Sequence, residues 1–359
     1  MRQTNDFEDN SGGLPIIYMA LGGSLFILLV LGIVLAINKK PSQNDRPVQN
    51  LVKESIQEEE YASSDTGYKR TADELDIWDM YPIEEEESET EEETTTEEET
   101  TTEENYEDGN HFLLKYADGT EEWIKLNPNW EKNTYDVTNI ISSDGRLKYY
   151  SDGKKVSYIG VDISRYQKEV DFERLKADGI DFVMLRVGAR GYKTGELQLD
   201  EYFADNIKKA TEAGLDIGVY FYSQAINSQE AIDEANFVLE NIKEYKITYP
   251  VAFDMEFVEN DSSRVETLTN DERTYLAAVF LTHIKAAGYV PMLYGNPEWL
   301  IKRIDVSKFP DACIWLSEEE DIPAYPYRYE MWQYTKQGQV DGIDGFVDLN
   351  ISFVDYSAR

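Results

Sequence analysis

The stretch Tyr249-Pro250-Val251-Ala252-Phe253-Asp254-Met255-Glu256-Phe257 is a short apolar run that closes on two carboxylates. Its length and composition predict a buried strand over residues 251–255, with Asp254 and Glu256 at its end. Side chains alternate across a strand, so acids at i and i+2 point the same way, with Cα atoms roughly 6.5–7 Å apart. Like charges that close push one pKa up and leave an acid that keeps its proton near neutral pH. Taken alone, the pair is better explained as an ordinary strand end with solvated acids.

Working outward, strand patterns recur at residues 158–162, 182–187, 217–222, 290–294, 312–316, 330–334 and 346–349. Helical patterns separate the earlier ones, at 172–177, 201–213, 229–245 and 271–287. Thr269-x-x-Glu272 reads as a capping box for the last helix, and Gly214 and Gly288 as C-terminal stops. Eight strands in about 200 residues, with short late connections, predict an α/β fold: a TIM-like barrel, compact at its C-terminal end. Such barrels carry their working residues at the C-terminal ends of the strands. That rule collects Asp162 from the first strand, Tyr220 and Tyr222 from the third, and Asp254 and Glu256 from the fourth. It adds Tyr294 from the fifth, Trp315 near the end of the sixth, Trp332 and Gln333 from the seventh, and Asp348 from the eighth. Helix caps and solvated loop ends account for one or two of these acids, not for four. Four acids with aromatic platforms describe a cleft that cuts carbohydrate: rings stack on the apolar faces of sugars, and paired carboxyls cleave glycosidic bonds.

Composition narrows the partners. The 359-residue chain has a net charge of −37. Residues 158–359 hold 20 basic and 36 acidic side chains, and the first 157 residues hold 14 and 35. Both halves lack the basic footprint that nucleic acid needs. Cys313 is the sole cysteine, and His111 and His283 are the only histidines. Zinc clusters, haem attachment and histidine-based triads are therefore not expected.

The sequence divides into an N-terminal tail (1–14), an uncharged run of 23 residues (15–37), a Glu/Thr-rich linker (38–110), a small β-rich extension (111–157) and the barrel (158–359). The uncharged run is long enough to cross a bilayer core of about 30 Å as a helix. It lacks the basic start and small-residue cleavage site of a secretory signal, so a retained single-pass anchor is expected. Lys39 and Lys40 follow the run and only Arg2 precedes it, so flanking charge alone would put the barrel inside the cell. Large domains override that bias. From Glu84 to Asp108 the linker holds 15 acids and no base, a composition that predicts a disordered, self-repelling tether. In the extension, Asp118-Gly119, Asp144-Gly145 and Asp152-Gly153 sit between aromatic or apolar runs and predict hairpins. Its aromatics, Trp123, Trp130, Tyr135, Tyr149 and Tyr150, are expected to pack on the neighbouring domain rather than to hold sugar.

These motifs together resemble a known family. Residues 158–353 are similar to the glycoside hydrolase family 25 lysozymes, muramidases that cut bacterial peptidoglycan. The likeness rests on Gly160-Val161-Asp162-Ile163-Ser164-x-x-Gln167 with Val170-Asp171-Phe172, and on Arg186-Val187-Gly188-x-Arg190-Gly191-Tyr192. It continues through Phe203-x-x-Asn206, Ala213-Gly214-Leu215-x-Ile217-Gly218-Val219-Tyr220, Asp254-Met255-Glu256, Tyr294-Gly295 and Trp332-Gln333-Tyr334. It closes on Gly338-x-Val340-x-Gly342-Ile343-x-Gly345-x-Val347-Asp348-Leu349-Asn350.

The resemblance implies an irregular barrel of about five βα units with a short β-rich end, and no metal or cofactor. It makes Glu256 the general acid, Asp254 the stabiliser of a cationic intermediate or of the substrate's N-acetyl group, and Asp162 and Asp348 the groups that orient them. Arg186, Tyr220, Tyr222, Tyr294, Trp315, Trp332 and Gln333 become substrate contacts. The implied reaction is hydrolysis of the β-1,4 bond from N-acetylmuramic acid to N-acetylglucosamine, outside the cell membrane. Direct water attack, a covalent intermediate and acetamido participation all fit two close carboxylates. The chain departs from the family after the sixth strand, where Trp315-Leu316-Ser317-Glu318-Glu319-Glu320 replaces Trp-x-Ala-x-Tyr.

Two other readings compete on the sequence. Asp341-Gly342-Ile343-Asp344-Gly345-Phe346-Val347-Asp348 superficially resembles a chitinase motif, but the terminal Glu is absent. A catalytically inactive, membrane-anchored wall-binding module has no need of a proton-donating Glu beside an Asp.

Overall fold

Two Asp-Gly turns organise the segment ahead of the barrel. Asp144 and Asp152 take φ of 55° and 49°, and the glycines after them 72° and 74°. Consecutive positive φ values are what a tight, right-twisted hairpin requires. β3 (Ile140–Ser143), β4 (Arg146–Ser151) and β5 (Lys154–Lys155) accordingly form an antiparallel sheet. Before them, β1 (His111–Lys115) and β2 (Glu121–Lys125) pair as a separate hairpin. The computed structural model describes residue 106 and residues 109–116, 118–258 and 261–358. The candidate anchor (15–37) and the Glu/Thr-rich linker as far as residue 105 lie outside the described residues. Among the described residues no helix is long and apolar enough to cross a membrane.

The extension packs on the barrel through its aromatics. Tyr135 stacks on Phe353 at 4.1 Å, Tyr149 meets Phe353 edge-on at 5.4 Å, and Trp130 meets Tyr327 edge-on at 4.9 Å. Trp123 stacks on Tyr106 instead and stays 38 % exposed.

Eight strands close the barrel. β6 (Tyr158–Ile163), β7 (Phe182–Arg190), β9 (Asp216–Ser223), β10 (Val251–Met255), β11 (Pro291–Gly295), β12 (Cys313–Ser317) and β13 (Met331–Gly338) run parallel in chain order. β8 (Leu197–Leu199) folds back on the end of β7. The last strand, β14 (Val347–Ser352), runs antiparallel to both β13 and β6. Only eight residues, 339–346, separate β13 from β14, and a parallel return needs a dozen or more. Asp348 therefore lies near the start of its strand, not at its end as the strand-end rule had it, yet on the same rim.

Four α-helices pack outside: α1 (Phe172–Ala177), α2 (Phe203–Ala213), α3 (Ser228–Ile242) and α4 (Asn270–Ala286). The capping box is present, with the Thr269 amide donating to Glu272 Oε2 at 2.7 Å and the Glu272 amide donating to Thr269 Oγ1 at 3.2 Å. Gly214 ends α2 in the left-handed region. In the fifth unit the helical segment is short and irregular rather than a regular α-helix. After β11 there is one π-helical turn, Trp299–Arg303; Ile304 then becomes extended and Asp305 caps a separate 3-10 turn.

Strand alternation sorts the core into two layers. Val183, Leu185, Phe253 and Leu293 face the helices, while Phe182, Met184, Ala252, Met292 and Met331 fill the barrel interior. Interior glycines make room for them. A Cβ on Gly160 would lie 2.2 Å from the Phe182 ring, and one on Gly218 would lie 2.4 Å from Met184 Sδ. Below them, Phe182 stacks on Tyr249 at 4.2 Å, and Tyr249 meets Tyr356 at 5.2 Å. One end of the barrel is thereby plugged, and the other is left to polar groups.

Candidate active site

At the open end the inward positions change character. The strand register pairs Asp162 with Asp348, Asp254 with Tyr222 and Tyr294, and Tyr294 with Trp315. A cleft of about 840 Å³ opens above them, and Asp162, Asp254, Glu256 and Asp348 all line it. Arg186, Tyr220, Tyr222, Tyr294, Trp315 and Gln333 line it as well.

Trp332 does not. One residue before the inward Gln333, it points to the opposite side of β13, is fully buried in the outer core, and donates from Nε1 to the Glu318 carbonyl at 2.8 Å. Period-two alternation forbids Trp332 and Gln333 from sharing a face, so the proposed sugar contact at Trp332 is corrected to a packing residue.

A directed hydrogen-bond network holds the first acid pair. Tyr294 Oη and Ser317 Oγ donate to Gln333 Oε1 at 2.9 and 2.7 Å. The Gln333 amide is thus turned so that Nε2 donates to Asp162 Oδ2 at 2.9 Å and to Asp348 Oδ2 at 3.2 Å. Asn350 Nδ2 adds a second donor to Asp162 Oδ2 at 2.9 Å, and Trp315 Nε1 orients Asn350 by donating to its Oδ1 at 2.8 Å. Burial, and then the Asp348 charge, push the Asp162 carboxyl well above its ordinary pKa. Burial raises Asp348 too, against the pull of Lys336. With the two carboxyls held this close, ionisation of both together is disfavoured.

The second pair is built differently. Asp254 is 6 % exposed, and its Oδ1 has no hydrogen-bond partner. Burial, then the Glu256 charge, raise its pKa well above the ordinary carboxylate range, and Arg186 opposes them. Glu256 is half-buried at the strand end. Its backbone carbonyl accepts from Gln224 Nε2 at 2.8 Å, which fixes the chain as it leaves β10. Arg186 is held by Asp200, with Nε at 2.9 Å and a terminal nitrogen at 2.7 Å from Oδ2. An unbonded carboxyl oxygen in a buried site is costly, and Asp254 keeps one while it lines the cleft.

The strand-end rule missed three contributors. Tyr166 lines the cleft, is 70 % exposed, and has the Arg165 and Arg186 guanidiniums each 5.3 Å from its ring centre. It sits in the 3-10 turn after β6, where strand periodicity carries no signal. Asn350 could have been found, since it lies two residues beyond Asp348 on the same face. Ser317 stands in the departing segment and serves the network through its hydroxyl. Among the described residues no cluster of His, Cys, Asp and Glu is arranged to hold a metal ion.

The sequence model of the family described as "Glycosyl hydrolases family 25" matches residues 161–343, just over half of the 359-residue chain. Among curated proteins, the chain is 26 % identical over 196 residues to the uncharacterized protein YegX of Escherichia coli K12, covering 54 % of this chain and 68 % of that one. It is 25 % identical over 192 residues to an autolytic lysozyme of Clostridium acetobutylicum, covering 53 % and 54 %. Among solved structures, the modular autolysin LytC of Streptococcus pneumoniae aligns with a TM-score of 0.49 at 24 % identity, covering 67 % of this chain and 56 % of that one. The chain thus spans little more than half the length of the lysozyme and of the autolysin. On the family match, across the strands that carry Asp162, Asp254 and Glu256, the chain belongs to glycosyl hydrolase family 25.

Proposed function

We propose that this protein hydrolyses bacterial peptidoglycan at the β-1,4 bond between N-acetylmuramic acid and N-acetylglucosamine, using Glu256 and Asp254 as paired carboxylates. The observation that carries the reading is the buried Asp254 carboxyl, short of a partner at Oδ1 and set beside Glu256 at the mouth of an acid-lined barrel. The family match and the lysozyme relative support the substrate class.

In the empty site the Asp254–Glu256 pair shares its charge, because two neighbouring carboxylates do not both ionise freely. As the sugar's anomeric carbon gains positive charge, negative charge is favoured on Asp254, the deeper group and the one that feels Arg186. The proton then belongs to Glu256, which delivers it to the leaving oxygen. The Asp254 carboxylate meets either the developing cation or the N–H of the substrate's acetamido group. Asp162 and Asp348 stand behind this pair and set the local field. Tyr166, Tyr222 and Tyr294 shape the walls of the cleft.

We place the enzyme on the outer face of the cell membrane, anchored by residues 15–37 and spaced from it by the acidic linker. Protection of the barrel from protease added to intact cells would refute that placement. The chemistry is tested by digesting purified cell wall with residues 111–359 and analysing the products. Soluble muropeptides with reducing muramic acid ends are expected, and they should vanish in Glu256→Gln. Wild-type protein that releases none from several walls sinks the proposal.

A further inference from the structure

The cleft does not stop at Glu256. A second cavity of about 480 Å³ opens beside this residue, and Glu256 and Lys336 line both spaces. Its volume falls in the range of about 300–1,000 Å³ typical of small-ligand sites. One wall runs from Ser317, the last residue of β12, through the following loop to Ala324; another is Phe112, Leu113 and Lys115 of β1 with Tyr116 just after it, and Asn296, Pro297 and Glu298 after β11 also line the space. The family match begins at residue 161, so the β1 wall comes from outside it.

The hairpin is fastened to the barrel. Lys302 Nζ donates to Glu122 Oε2 at 2.6 Å and to the Tyr116 hydroxyl at 2.9 Å. Lys115 pairs with Glu320 at 3.2 Å, which engages the acidic segment that follows Trp315. Lys336 pairs with Glu319 at 3.4 Å on the opposite side of the same loop. The acids there tie the loop to both the hairpin and the cleft.

A glycosidase's proton donor stands between the sugar that is attacked and the group that leaves. The acid-lined cleft, with Asp254, lies to one side of Glu256, and the second cavity adjoins it at the same residue. We infer that the β1–β2 hairpin completes the leaving-group half of the substrate site, so that the departing saccharide lies between Leu113 and Ala324. This rests on the peptidoglycan-cleaving reading above.

The test uses the full chain and two variants that fill the cavity from two of its walls, Leu113→Trp and Ala324→Trp. Circular dichroism confirms that each folds. Two readouts are taken: binding of free N-acetylglucosaminyl-N-acetylmuramic acid, followed by chemical-shift changes, and kcat/KM on two substrates that share the attacked sugar. One substrate leaves as that disaccharide and the other as a nitrophenyl group. Both variants should weaken disaccharide binding at least tenfold, and the disaccharide-to-nitrophenyl ratio of kcat/KM should fall by at least tenfold. If Leu113→Trp leaves binding and ratio at wild-type values, or lowers both substrates equally, the hairpin is no part of the site. If the wild type binds the disaccharide in a Leu113-dependent way yet cleaves neither substrate, the hairpin inference stands and the hydrolytic reading fails.

Discussion

The two ends of the barrel interior are made by the same strands and behave as opposites. At the closed end, inward positions hold Phe182, Met184, Met292 and Met331, with Gly160 and Gly218 sized to admit them. At the open end, the next inward positions hold Asp162, Asp254, Gln333 and Asn350, none more than 8 % exposed. The closed end lowers the free energy of the fold by burying apolar surface. The open end raises it, because carboxyls whose pKa is pushed up by burial are groups the folded state holds at a cost. The lesson is that one inward step along a strand separates residues kept for stability from residues kept in spite of it.

Four substitutions press on that contrast. Glu256→Gln has the largest expected effect: removing a proton donor costs about 10²–10⁴-fold in kcat with little change in the melting midpoint. Peptidoglycan turnover with a parallel thermal melt checks it, and loss of the fold would show that the two ends are not separable. Gly160→Ala is the counterpart at the closed end. Its methyl collides with the rigid Phe182 ring, so a loss of about 1–3 kcal/mol is expected in a urea titration.

Asp162→Asn should move stability the other way. The folded pKa of Asp162 is raised, so above its unfolded value near 3.9 the native state binds more protons than the unfolded chain. Stability therefore falls as pH rises from there through the folded pKa. The amide still accepts from Gln333 and Asn350 and can donate to Asp348. It should add about 1–2 kcal/mol at pH 7, a gain that vanishes near pH 4, while activity drops. Urea midpoints across that pH range decide it; a gain independent of pH would refute the account. Trp332→Phe should do least to catalysis. It deletes the bond to the Glu318 carbonyl and is expected to cost about 1 kcal/mol in stability, with kcat/KM within a few-fold of wild type.

How much of this could be read from the chain differed by element. All eight barrel strands lie within a few residues of their periodic patterns, and α1 spans the predicted residues 172–177, because apolar alternation and caps are local signals. Asp162, Asp254 and Glu256 fall on one rim because acids recur at strand ends that a closed sheet must bring together; Asp348 reaches the same rim from the start of a reversed strand, for a reason the strand-end rule does not contain. The direction of β14 was not legible from a strand pattern, since alternation reads the same both ways; only the short link 339–346 carries it. Trp332 lies in the outer core because alternation assigns its neighbour Gln333 to the cleft, and aromatic character alone carries no information on the face. Tyr166 escaped because a 3-10 turn has no periodic signature. The hairpin's position beside Glu256 depends on ion pairs such as Lys302–Glu122, between residues far apart in the chain.

The reversed last strand has a consequence for when the enzyme can work. Asp162 belongs to the first barrel strand and Asp348 to the last, and Asn350 reaches Asp162 across 188 positions of chain. Their contact is the seam of the cylinder. A chain with every other strand in place but that seam open would possess most of the sheet and lack the carboxyl pair. On the proposed reading, turnover depends on that seam being closed, because the Asp162–Asp348 pair exists only when the first and last barrel strands meet.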